Sequence, residues 1–420
     1  MELLTYINYI IAIVFLVCYS YQFLYIAIPF VVKKKTQKEA RPHKYGVLIS
    51  ARNEEKVIGQ LIESIKNQSY PGELITIFVV ADNCTDSTAR VAIDAGAMVC
   101  ERSDKTHVGK GYALEYLLDC IKDFYPEDEF DGFFVFDADN LLEENYIEEM
   151  NKTFSQGYKI VTSYRNSKNY GDNWISAGYG LWFLREAQYL NNSRMLIGTS
   201  CAVSGTGFLF SREVMDRTGG WRFHLLTEDI EFTVDNVVNG EKIGYCGSAV
   251  IYDEQPVKFS QSWNQRMRWA KGYLQVFKKY GRELIKGTAL KGSFSCFDMT
   301  MAIMPAVVLT VLSIIINLTG AIVGVLDGQG AWAAFRSVCE SIRNVYIMLL
   351  IIGGITTITE WRSIHAPAYK KVLYTFTFPI FMLTYIPISF SALFKRVEWK
   401  QISHTRGMNL DEVRRSRVSA

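Results

Sequence analysis

Four groups of acidic, basic and aromatic residues follow one another along the chain. They are Asp82 in VVADNCTDS, the pair Asp137 and Asp139 in FFVFDADN, Thr227-Glu228-Asp229, and Gln265-Arg266-Met267-Arg268-Trp269. Carboxylates can hold a divalent cation or accept a proton from a hydroxyl group. Arginines bind phosphate oxygens, and a tryptophan ring packs against a flat apolar surface. The set therefore indicates metal-assisted chemistry on an anionic ligand.

The pair Asp137 and Asp139 has the spacing of a cation site. Alternate side chains of an extended segment point the same way, so both carboxylates can reach one point with the small Ala138 between them. Mg²⁺ or Mn²⁺ needs few carboxylates there, because phosphate oxygens and water complete its shell. The alternative is an acidic pair that caps a loop. A bare Asp-x-Asp is a weak signal, but the apolar segment before it favours the cation site.

Further residues are candidates for holding a nucleotide sugar, together with Asp137. Asp82 is expected to contact the uridine and ribose, although Asp-Asn is also ordinary turn chemistry. Glu54, in SARNEE, follows the first predicted strand and is expected to join Asp82. Lys110 lies between two glycines at a predicted helix start. It is either a diphosphate contact or a solvated lysine, and both interpretations stay open.

The Thr227-Glu228-Asp229 group begins a predicted helix that runs toward Asn239. Acidic residues are favoured in a first helical turn by the helix dipole, which is the purely structural alternative. In the functional interpretation, Asp229 is the general base that takes a proton from an acceptor hydroxyl group, and Glu228 helps to bind that acceptor. This segment alone favours neither, whereas the accompanying motifs favour the second.

The Gln265–Trp269 group lies in SWNQRMRWAKGY, which predicts a helix at the membrane surface. One interpretation is an amphipathic interfacial helix with basic side chains that reach toward water. The other assigns Gln265, Arg266 and Arg268 to the diphosphate and Trp269 to stacking on an acceptor sugar. The segment Ser204-Gly205-Thr206-Gly207 is either a wall of the acceptor site or only a turn.

The elements that must position these residues alternate between strand and helix over residues 45–258. The predicted strands are Tyr45–Ser50, Ile75–Ala81 and Gly132–Phe136, and the predicted helices include Lys56–Asn67 and Lys110–Phe124. Such alternation predicts an α/β domain with a mostly parallel sheet. Ligands of these sheets bind at the carboxyl ends of the strands, which is where Asp82 and Asp137 fall.

Apolar segments at the two ends of the chain predict membrane helices. Residues 1–32 form the first, since Leu3–Val32 contains no charge and is long enough to cross a bilayer. A basic linker at 33–44 follows, with Lys33, Lys34, Lys35, Lys38 and Arg41. Positive charge favours the cytoplasmic side, so the N-terminus is predicted outside and the 45–258 domain in the cytoplasm.

The C-terminal part is predicted to hold interfacial amphipathic helices at 259–297, two or three spans within 298–396, and a polar cytosolic tail at 397–420. Met299–Leu326 and Val372–Phe394 are long apolar segments, whereas Asn344–Thr359 is short. Three spans, four spans or a re-entrant turn at Pro379–Pro387 are possible. Each alternative puts different basic residues on the outer or the cytoplasmic side of the membrane. The sequence does not choose among them.

Composition excludes several other classes of protein. A net charge of +2 gives no support for nucleic-acid binding. Eight scattered cysteines without a Cys-x-x-Cys pair argue against a disulfide scaffold or a zinc ribbon. Reduced cytosolic thiols fit the predicted location.

The four motifs, in their order, resemble family-2 inverting glycosyltransferases of the processive membrane group, such as cellulose, chitin, hyaluronan and poly-N-acetylglucosamine synthases. The likeness covers residues 45 to about 280. It implies a GT-A domain, a UDP-sugar donor, Mg²⁺ or Mn²⁺, inversion to a β-linkage, and extrusion of the product through the spans. Asp82-Asn83 departs from the two carboxylates that many members have at this position.

Three functions follow as hypotheses. The first is processive addition of a hexose or N-acetylhexosamine to a growing polysaccharide, for which the few spans suggest export with a partner protein or a homo-oligomer. The second is a single addition to a membrane lipid. The third is a membrane scaffold with a decayed transferase domain, against which the intact acidic set argues.

Overall fold

The computed structural model describes residues 2–33, 39–126, 129–326, 332–399, 401–402 and 404–415. Residues 34–38 of the predicted basic linker, including Lys34, Lys35 and Lys38, and the end of the predicted tail at 416–420 lie outside the described residues.

Eight strands form one sheet at the centre of the chain. They are β1 (Tyr45–Ala51), β2 (Ile75–Asp82), β3 (Met98–Arg102), β4 (Gly132–Asp137), β5 (Leu141–Leu142), β6 (Ile160–Ser167), β7 (Phe208–Ser211) and β8 (Ile243–Asp253), in the order β3-β2-β1-β4-β7-β6-β8-β5. β1 is parallel to β2 and β4, whereas β7 is antiparallel to β4 and β6. The predicted α/β class is confirmed, and the sheet is mixed rather than mostly parallel in its second half.

Helices flank the sheet and continue into the apolar ends of the chain. They are α1 (Glu2–Tyr19), α2 (Tyr21–Val31), α3 (Ile58–Lys66), α4 (Thr88–Asp94), α5 (Lys110–Phe124), α6 (Tyr146–Phe154), α7 (Trp174–Arg185), α8 (Asn192–Ile197), α9 (Arg212–Thr218), α10 (Glu228–Val238), α11 (Phe259–Lys291), α12 (Phe294–Ile303), α13 (Pro305–Leu326), α14 (Trp332–Thr359), α15 (Ala368–Leu383), α16 (Tyr385–Phe394) and α17 (Leu410–Arg415). A π-helical segment, Glu186–Asn191, joins α7 to α8. The predicted helix Lys110–Phe124 agrees with α5, and the three predicted strands agree with β1, β2 and β4 to within one residue.

The sheet is buried on both faces because its strands are apolar at successive positions. In β4, Phe133 and Val135 pack on the side of α5, whereas Phe134 and Phe136 pack on the side of α3 and α6. Because both faces of the sheet are buried, the strand sequences are apolar at successive positions and do not alternate between apolar and polar residues. It also holds the ends of β2 and β4 at a defined edge.

Three of the described helical segments are long and apolar enough to cross a membrane by length and composition. They are Tyr6–Val31, Val338–Thr359 and Ala368–Phe394. The short predicted segment Asn344–Thr359 is therefore part of a longer helix, α14.

The structure corrects one prediction about the C-terminal helices and bears on one alternative that the sequence left open. The expected continuous span Met299–Leu326 is interrupted at Met304, because the residue before a proline is disfavoured in the helical conformation and Pro305 starts α13. Between α15 and α16 only Thr384 intervenes, and its backbone stays right-handed helical with φ −65° and ψ −14°. This geometry argues against the re-entrant turn at Pro379–Pro387.

A buried ion pair ties the N-terminal helices to the rest of the molecule. The guanidinium of Arg194 in α8 donates to both carboxylate oxygens of Asp298 in α12, at 2.7 and 3.0 Å. The hydroxyl groups of Tyr21 and Tyr25 in α2 donate to the same carboxylate at 2.7 and 2.8 Å. Removing one partner of such a buried pair costs about 3–5 kcal/mol, so this cluster holds α2 in place.

The predicted polar tail packs onto the sheet domain. Val413 of α17 is buried against Leu141 and Tyr252, and Arg414 forms an ion pair with Glu143. The segment that leads to α17 consequently runs across the carboxyl edge of the sheet.

Candidate active site

One cavity of about 660 Å³ lies at the carboxyl edge of the sheet and extends toward the apolar helices. Every predicted site residue except Arg266 lines it. These residues are Glu54, Asp82, Lys110, Asp137, Asp139, Glu228, Asp229, Gln265, Arg268 and Trp269. Motifs separated by nearly 190 positions in the chain thus meet at one place.

The ends of β2 and β4 bring Asp82 and Asp137 to the same edge, on either side of β1. Asp82 accepts a hydrogen bond from Arg102 at 2.7 Å, and both side chains are buried. The next residue, Asn83, has a φ of 54°, in the left-handed region that asparagine tolerates. Its amide donates to Asp82 at 2.9 Å, so the carboxylate is held from two sides.

Lys110 at the start of α5 reaches the Asp137 carboxylate and donates to the backbone oxygen of Gly205 at 2.8 Å. A side chain at the neighbouring Gly111 would place its Cβ 1.9 Å from the backbone oxygen of Phe223. Glycine is therefore required for α5 to start this close to the site. The ammonium of Lys110 is already in the cavity, as a diphosphate contact needs.

Asp139 is buried and accepts a hydrogen bond from the backbone N–H of Glu254 at 2.7 Å. Burial disfavours its charge, but the cationic groups of His404 and Lys168 outweigh burial and hold the pKa of Asp139 below its usual range. Asp139 is thus an ionised carboxylate at neutral pH.

The acidic groups around Asp137 and Asp139 fit a divalent cation. Within the described residues, Glu54 Oε2 and Asp253 Oδ1 are buried and have no hydrogen-bond partner, which is costly for carboxylate oxygens unless a cation or donor faces them. Across the part of the chain that the structure describes, no three His, Cys, Asp or Glu side chains are close enough to hold an ion by themselves. A cation here would therefore take ligands from a bound diphosphate as well.

His404, from the segment before α17, closes one side of this acidic group. Its Nδ1 lies 3.0 Å from Glu54 Oε1. Burial opposes the positive charge, but the carboxylates of Asp139 and Glu54 raise the pKa of His404 to about 10. Burial raises the pKa of Glu54 to about 7 in spite of His404. Sequence reasoning missed His404, because nothing in a lone histidine near the C-terminus indicates this contact.

Glu228 and Asp229 form the first turn of α10, as predicted, and both face the cavity. Burial raises the pKa of both carboxyl groups, and their proximity raises that of Glu228 further. Lys110 and Arg268 partly oppose this rise. A buried carboxylate with a raised pKa suits a general base working near neutral pH.

Gln265, Arg268 and Trp269 lie on one face of α11, at spacings of three and four residues. Gly272 continues this face, and a Cβ there would lie 2.4 Å from Thr227 Oγ1. This close approach brings α11 against the start of α10. Trp269 packs edge-on against Tyr179 with ring centroids 5.8 Å apart and leaves part of its surface to the cavity.

Arg266 is the exception among the predicted site residues. It is fully buried, donates to the backbone oxygen of Phe381 at 3.0 Å and to Thr384 Oγ1 at 2.6 Å, and lies over the Phe381 ring. One residue of α-helix turns the side chain by about 100°, so Arg266 points away from Gln265 and toward α15 and α16. The expected diphosphate contact is replaced by a packing role.

Several cavity residues have no counterpart among the predictions. Arg165 at the end of β6 donates to Asp253 at 2.8 Å and to the backbone oxygen of Ser204 at 2.9 Å. Glu186 lies in the π-helical segment and accepts from Ser204 at 3.3 Å. π-Helical turns are frequent at functional sites, but no sequence pattern predicts one. No sequence motif marks Arg165 as a site residue, and only its position in a strand could have pointed to the sheet edge.

A mixed α/β sheet with this strand order, and with paired carboxylates at its edge, is of the GT-A type. Residues 42–272, more than half of the chain, match the family described as Glycosyltransferase like family 2. The chain therefore belongs to glycosyltransferase family 2.

Curated relatives of two kinds are similar to the chain. The beta-monoglucosyldiacylglycerol synthase of Synechocystis is 26% identical over 242 residues, which are 56% of this chain and 49% of that protein. The same enzyme of Trichormus variabilis is 23% identical over 384 residues, which are 86% and 76%. The poly-beta-1,6-N-acetyl-D-glucosamine synthase of Staphylococcus epidermidis is 21% identical over 235 residues, which are 54% of each chain. The chain thus spans about half the length of several curated relatives that it matches.

A solved structure shares the fold. The mannosyltransferase PcManGT of Pyrobaculum calidifontis, determined with GDP-mannose and Mn²⁺, has a TM-score of 0.57 and 14% sequence identity, covering 91% of this chain and 98% of that one. At this identity the likeness confirms the predicted GT-A fold and nothing about substrates.

Proposed function

We propose that this protein is an inverting glycosyltransferase that moves a sugar from a UDP-sugar to an acceptor held at the cytoplasmic face of the membrane. The observation that supports the proposal is the single cavity, which joins Asp137 and Asp139 at one side to Asp229 and Trp269 at the other. A donor and an acceptor bound there would meet between a cation site and a buried carboxylate.

The donor end of the cavity, defined by Asp82, Lys110, Asp137, Asp139 and Arg268, would hold the nucleotide sugar. Asp82, Lys110 and Arg268 all line the cavity. Asp82 would face the nucleoside, and Lys110 and Arg268 would face the diphosphate. Asp137 and Asp139 would hold Mg²⁺ or Mn²⁺, which neutralises the charge that develops on the leaving diphosphate. Lys110 can turn from Asp137 to a phosphate oxygen, because both partners lie within reach of its flexible stem.

Asp229 takes the proton from the acceptor hydroxyl group as that oxygen attacks the anomeric carbon. Attack from the side opposite the diphosphate inverts the configuration. Trp269 supports the acceptor through its ring, and Glu228 accepts a hydrogen bond from an acceptor hydroxyl while Asp229 is ionised. The raised pKa of Asp229 keeps it basic enough to accept a proton.

The protein is proposed to be integral to the membrane, with its sheet domain in the cytoplasm. The three long apolar segments support this placement, as does the positive charge of the linker after α2. Membrane lipids then surround the helices, and the acceptor reaches the cavity from the membrane side.

Two acceptor classes follow from the motifs and the relatives. The motif order favours a growing polysaccharide, and a relative of this kind occurs in Staphylococcus epidermidis. A second candidate is a single addition to a membrane lipid, as the name of the Synechocystis relative indicates for that protein. The apolar lining of the cavity between the helices favours the second candidate.

A screen of UDP-sugars tests the proposed activity. Purified full-length protein in vesicles should release UDP from at least one UDP-hexose or UDP-N-acetylhexosamine in the presence of Mn²⁺, and EDTA should stop the release. Asp139→Ala should lose the response to Mn²⁺. UDP release that is equal with EDTA, or absent with every sugar, would contradict the proposal.

A further inference from the structure

The cavity has a second end that lies between the apolar helices, which we name the membrane arm. Its lining comes from helices at both ends of the chain, and includes Phe23 of α2, Ile303 of α12, Met348 and Ile352 of α14, Met382 of α15 and Ile386 of α16. The arm is continuous with the donor end through Asp229 and Trp269. A ligand that occupied both would place one part among hydrocarbon side chains and another beside the general base.

The chemistry of the membrane arm does not suit a sugar chain. Among the described residues that α14, α15 and α16 contribute to the lining, only Tyr385 and Ser389 carry polar side-chain atoms. A glycan has hydroxyl groups on every ring, and along α14–α16 most of them would lose their hydrogen bonds with water without finding a partner. The facing N-terminal helices offer only Tyr19, Ser20 and Gln22 among the described lining residues. Hydrocarbon chains have no hydroxyl groups. Their transfer from water into the arm is favourable, and their transfer from lipid replaces one apolar contact with another.

Two arginines lie near the arm. Arg185 donates to the neutral side chain of Gln22 at 2.9 Å, and Arg194 is neutralised by Asp298 through two hydrogen bonds. Where the arm meets the donor end, the lining includes the carboxylates Glu186, Glu228 and Asp229 beside Lys110 and Arg268, which the donor's diphosphate would take. With both cations taken by the donor, the carboxylates repel a second phosphate and accept hydrogen bonds from a hydroxyl group. The acceptor head group that fits this junction is therefore an uncharged alcohol.

The arm opens sideways between the N-terminal helices and α14. Leu16, Phe23 and Val345 line the cavity, and their total exposures are 58%, 46% and 38%. Cavity-lining side chains that are this exposed favour an opening of the cavity at this place. On membrane-spanning helices this opening faces lipid rather than water, so a lipid can enter without leaving the bilayer.

We infer that the acceptor is an uncharged lipid alcohol, which enters between α2 and α14, lays its hydrocarbon chains in the membrane arm and presents its hydroxyl group to Asp229. This inference rests on the proposed function. The lipid oxygen bonds to the anomeric carbon as the bond from that carbon to the diphosphate breaks. The hydroxyl proton passes to Asp229, and the bonding electrons leave with UDP.

Dioleoylglycerol in phosphatidylcholine vesicles is a direct probe of this inference. Full-length protein is supplied with tritium-labelled UDP-glucose, UDP-galactose or UDP-N-acetylglucosamine and Mn²⁺. The label should enter the organic phase as a lipid carrying one sugar. The apparent KM should be at least about 10-fold lower for dioleoylglycerol than for free glycerol, because the chains supply apolar contacts. A water-soluble polymer, or equal KM values, would overturn the inference.

A pair of matched variants on α14 locates the lipid. Val345 is 38% exposed and lines the arm, whereas Ile347 is 47% exposed and does not line it. Val345→Trp should raise the apparent KM for dioleoylglycerol several-fold and leave the KM for the UDP-sugar unchanged. Ile347→Trp should match the wild type. Equal effects of the two variants would overturn the entry route.

The outcomes separate this inference from the function on which it rests. UDP release together with a water-soluble product would contradict only the lipid acceptor and leave the transferase intact. The absence of UDP release from every donor would contradict the transferase, and the lipid acceptor with it. Thermal unfolding of Val345→Trp at the wild-type temperature confirms that its effect is local.

Discussion

The two ends of the cavity differ in how the protein fills them. At the donor end, charged side chains are paired with one another: Lys110 with Asp137, and His404 with Glu54. In the membrane arm, the lining side chains from α14–α16 are mainly hydrocarbon. At the donor end, a bound diphosphate and cation would replace ion pairs within the protein. In the membrane arm, a bound hydrocarbon chain would replace other apolar contacts. The junction of the two, at Asp229 and Trp269, is where the chemistry is expected.

The largest expected effect is at this junction. Asp229→Asn should lower the transfer rate by about 10²–10⁴-fold, because the amide cannot accept the hydroxyl proton. UDP-sugar binding, measured by calorimetry, should stay close to that of the wild type. Asp235→Asn is the matched control, since Asp235 is on the same helix, pairs with Arg217 and does not line the cavity. Full turnover in Asp229→Asn would exclude this base.

The second effect is confined to the donor end. Asp139→Ala should weaken Mn²⁺-dependent UDP binding by about 10-fold or more, since a carboxylate ligand of the cation is lost. Electron paramagnetic resonance of Mn²⁺ with UDP gives this affinity without requiring turnover. Asp94→Ala, which removes an exposed carboxylate of α4, should change nothing. Equal Mn²⁺ affinity in Asp139→Ala and the wild type would assign the cation to other residues.

The third effect separates two arginines of one motif. Arg268→Ala should raise the KM for the UDP-sugar several-fold with little change in stability, because Arg268 faces the cavity. Arg266→Ala should do the reverse: it removes a buried side chain that packs on Phe381, and should lower the free energy of unfolding by about 2–4 kcal/mol. Thermal unfolding and donor KM, measured on both variants, decide between the two roles. A larger donor effect from Arg266→Ala would reverse them.

The smallest effect is a shift in pH dependence. Asp229 must be ionised to act as a base, and burial raises its pKa, so kcat/KM should rise as the pH increases through that pKa and fall below it. Arg268→Ala removes a positive charge that lowers the pKa of Asp229, so that pKa should rise. The acidic limb of the profile should therefore move to higher pH in this variant. A limb that moves to lower pH would contradict the electrostatic contact between Arg268 and Asp229.

The sequence predicts the strand-borne half of the site better than the helical half. Continuous apolar runs identify β2 and β4, and a residue that follows such a run must lie at the sheet edge, so Asp82 and Asp137 could be placed from the sequence. On α11 a motif of adjacent residues divides between two faces. Helical periodicity alone would not have excluded Arg266 from the site, because Arg266 lies three positions from Trp269. Its contacts with α15 and α16 are what bury it away from the cavity.

Other features depend on distant parts of the chain. His404 lies 350 positions after Glu54 in the chain, and the two meet only because α17 docks through Val413. The break at Met304 could be expected from Pro305, but the contact of Asp298 with Arg194 could not, since it joins two helices from separate regions. Pairings of this kind follow from packing of the whole molecule rather than from local patterns.

The most direct test of the central claim, that one cavity joins the donor to an acceptor from the membrane, is an experimental structure of the full chain with UDP and Mn²⁺. We expect Mn²⁺ density beside Asp137 and Asp139, the uracil ring near Asp82, and the diphosphate between Lys110 and Arg268. Density for UDP or Mn²⁺ in any other part of the molecule would contradict it.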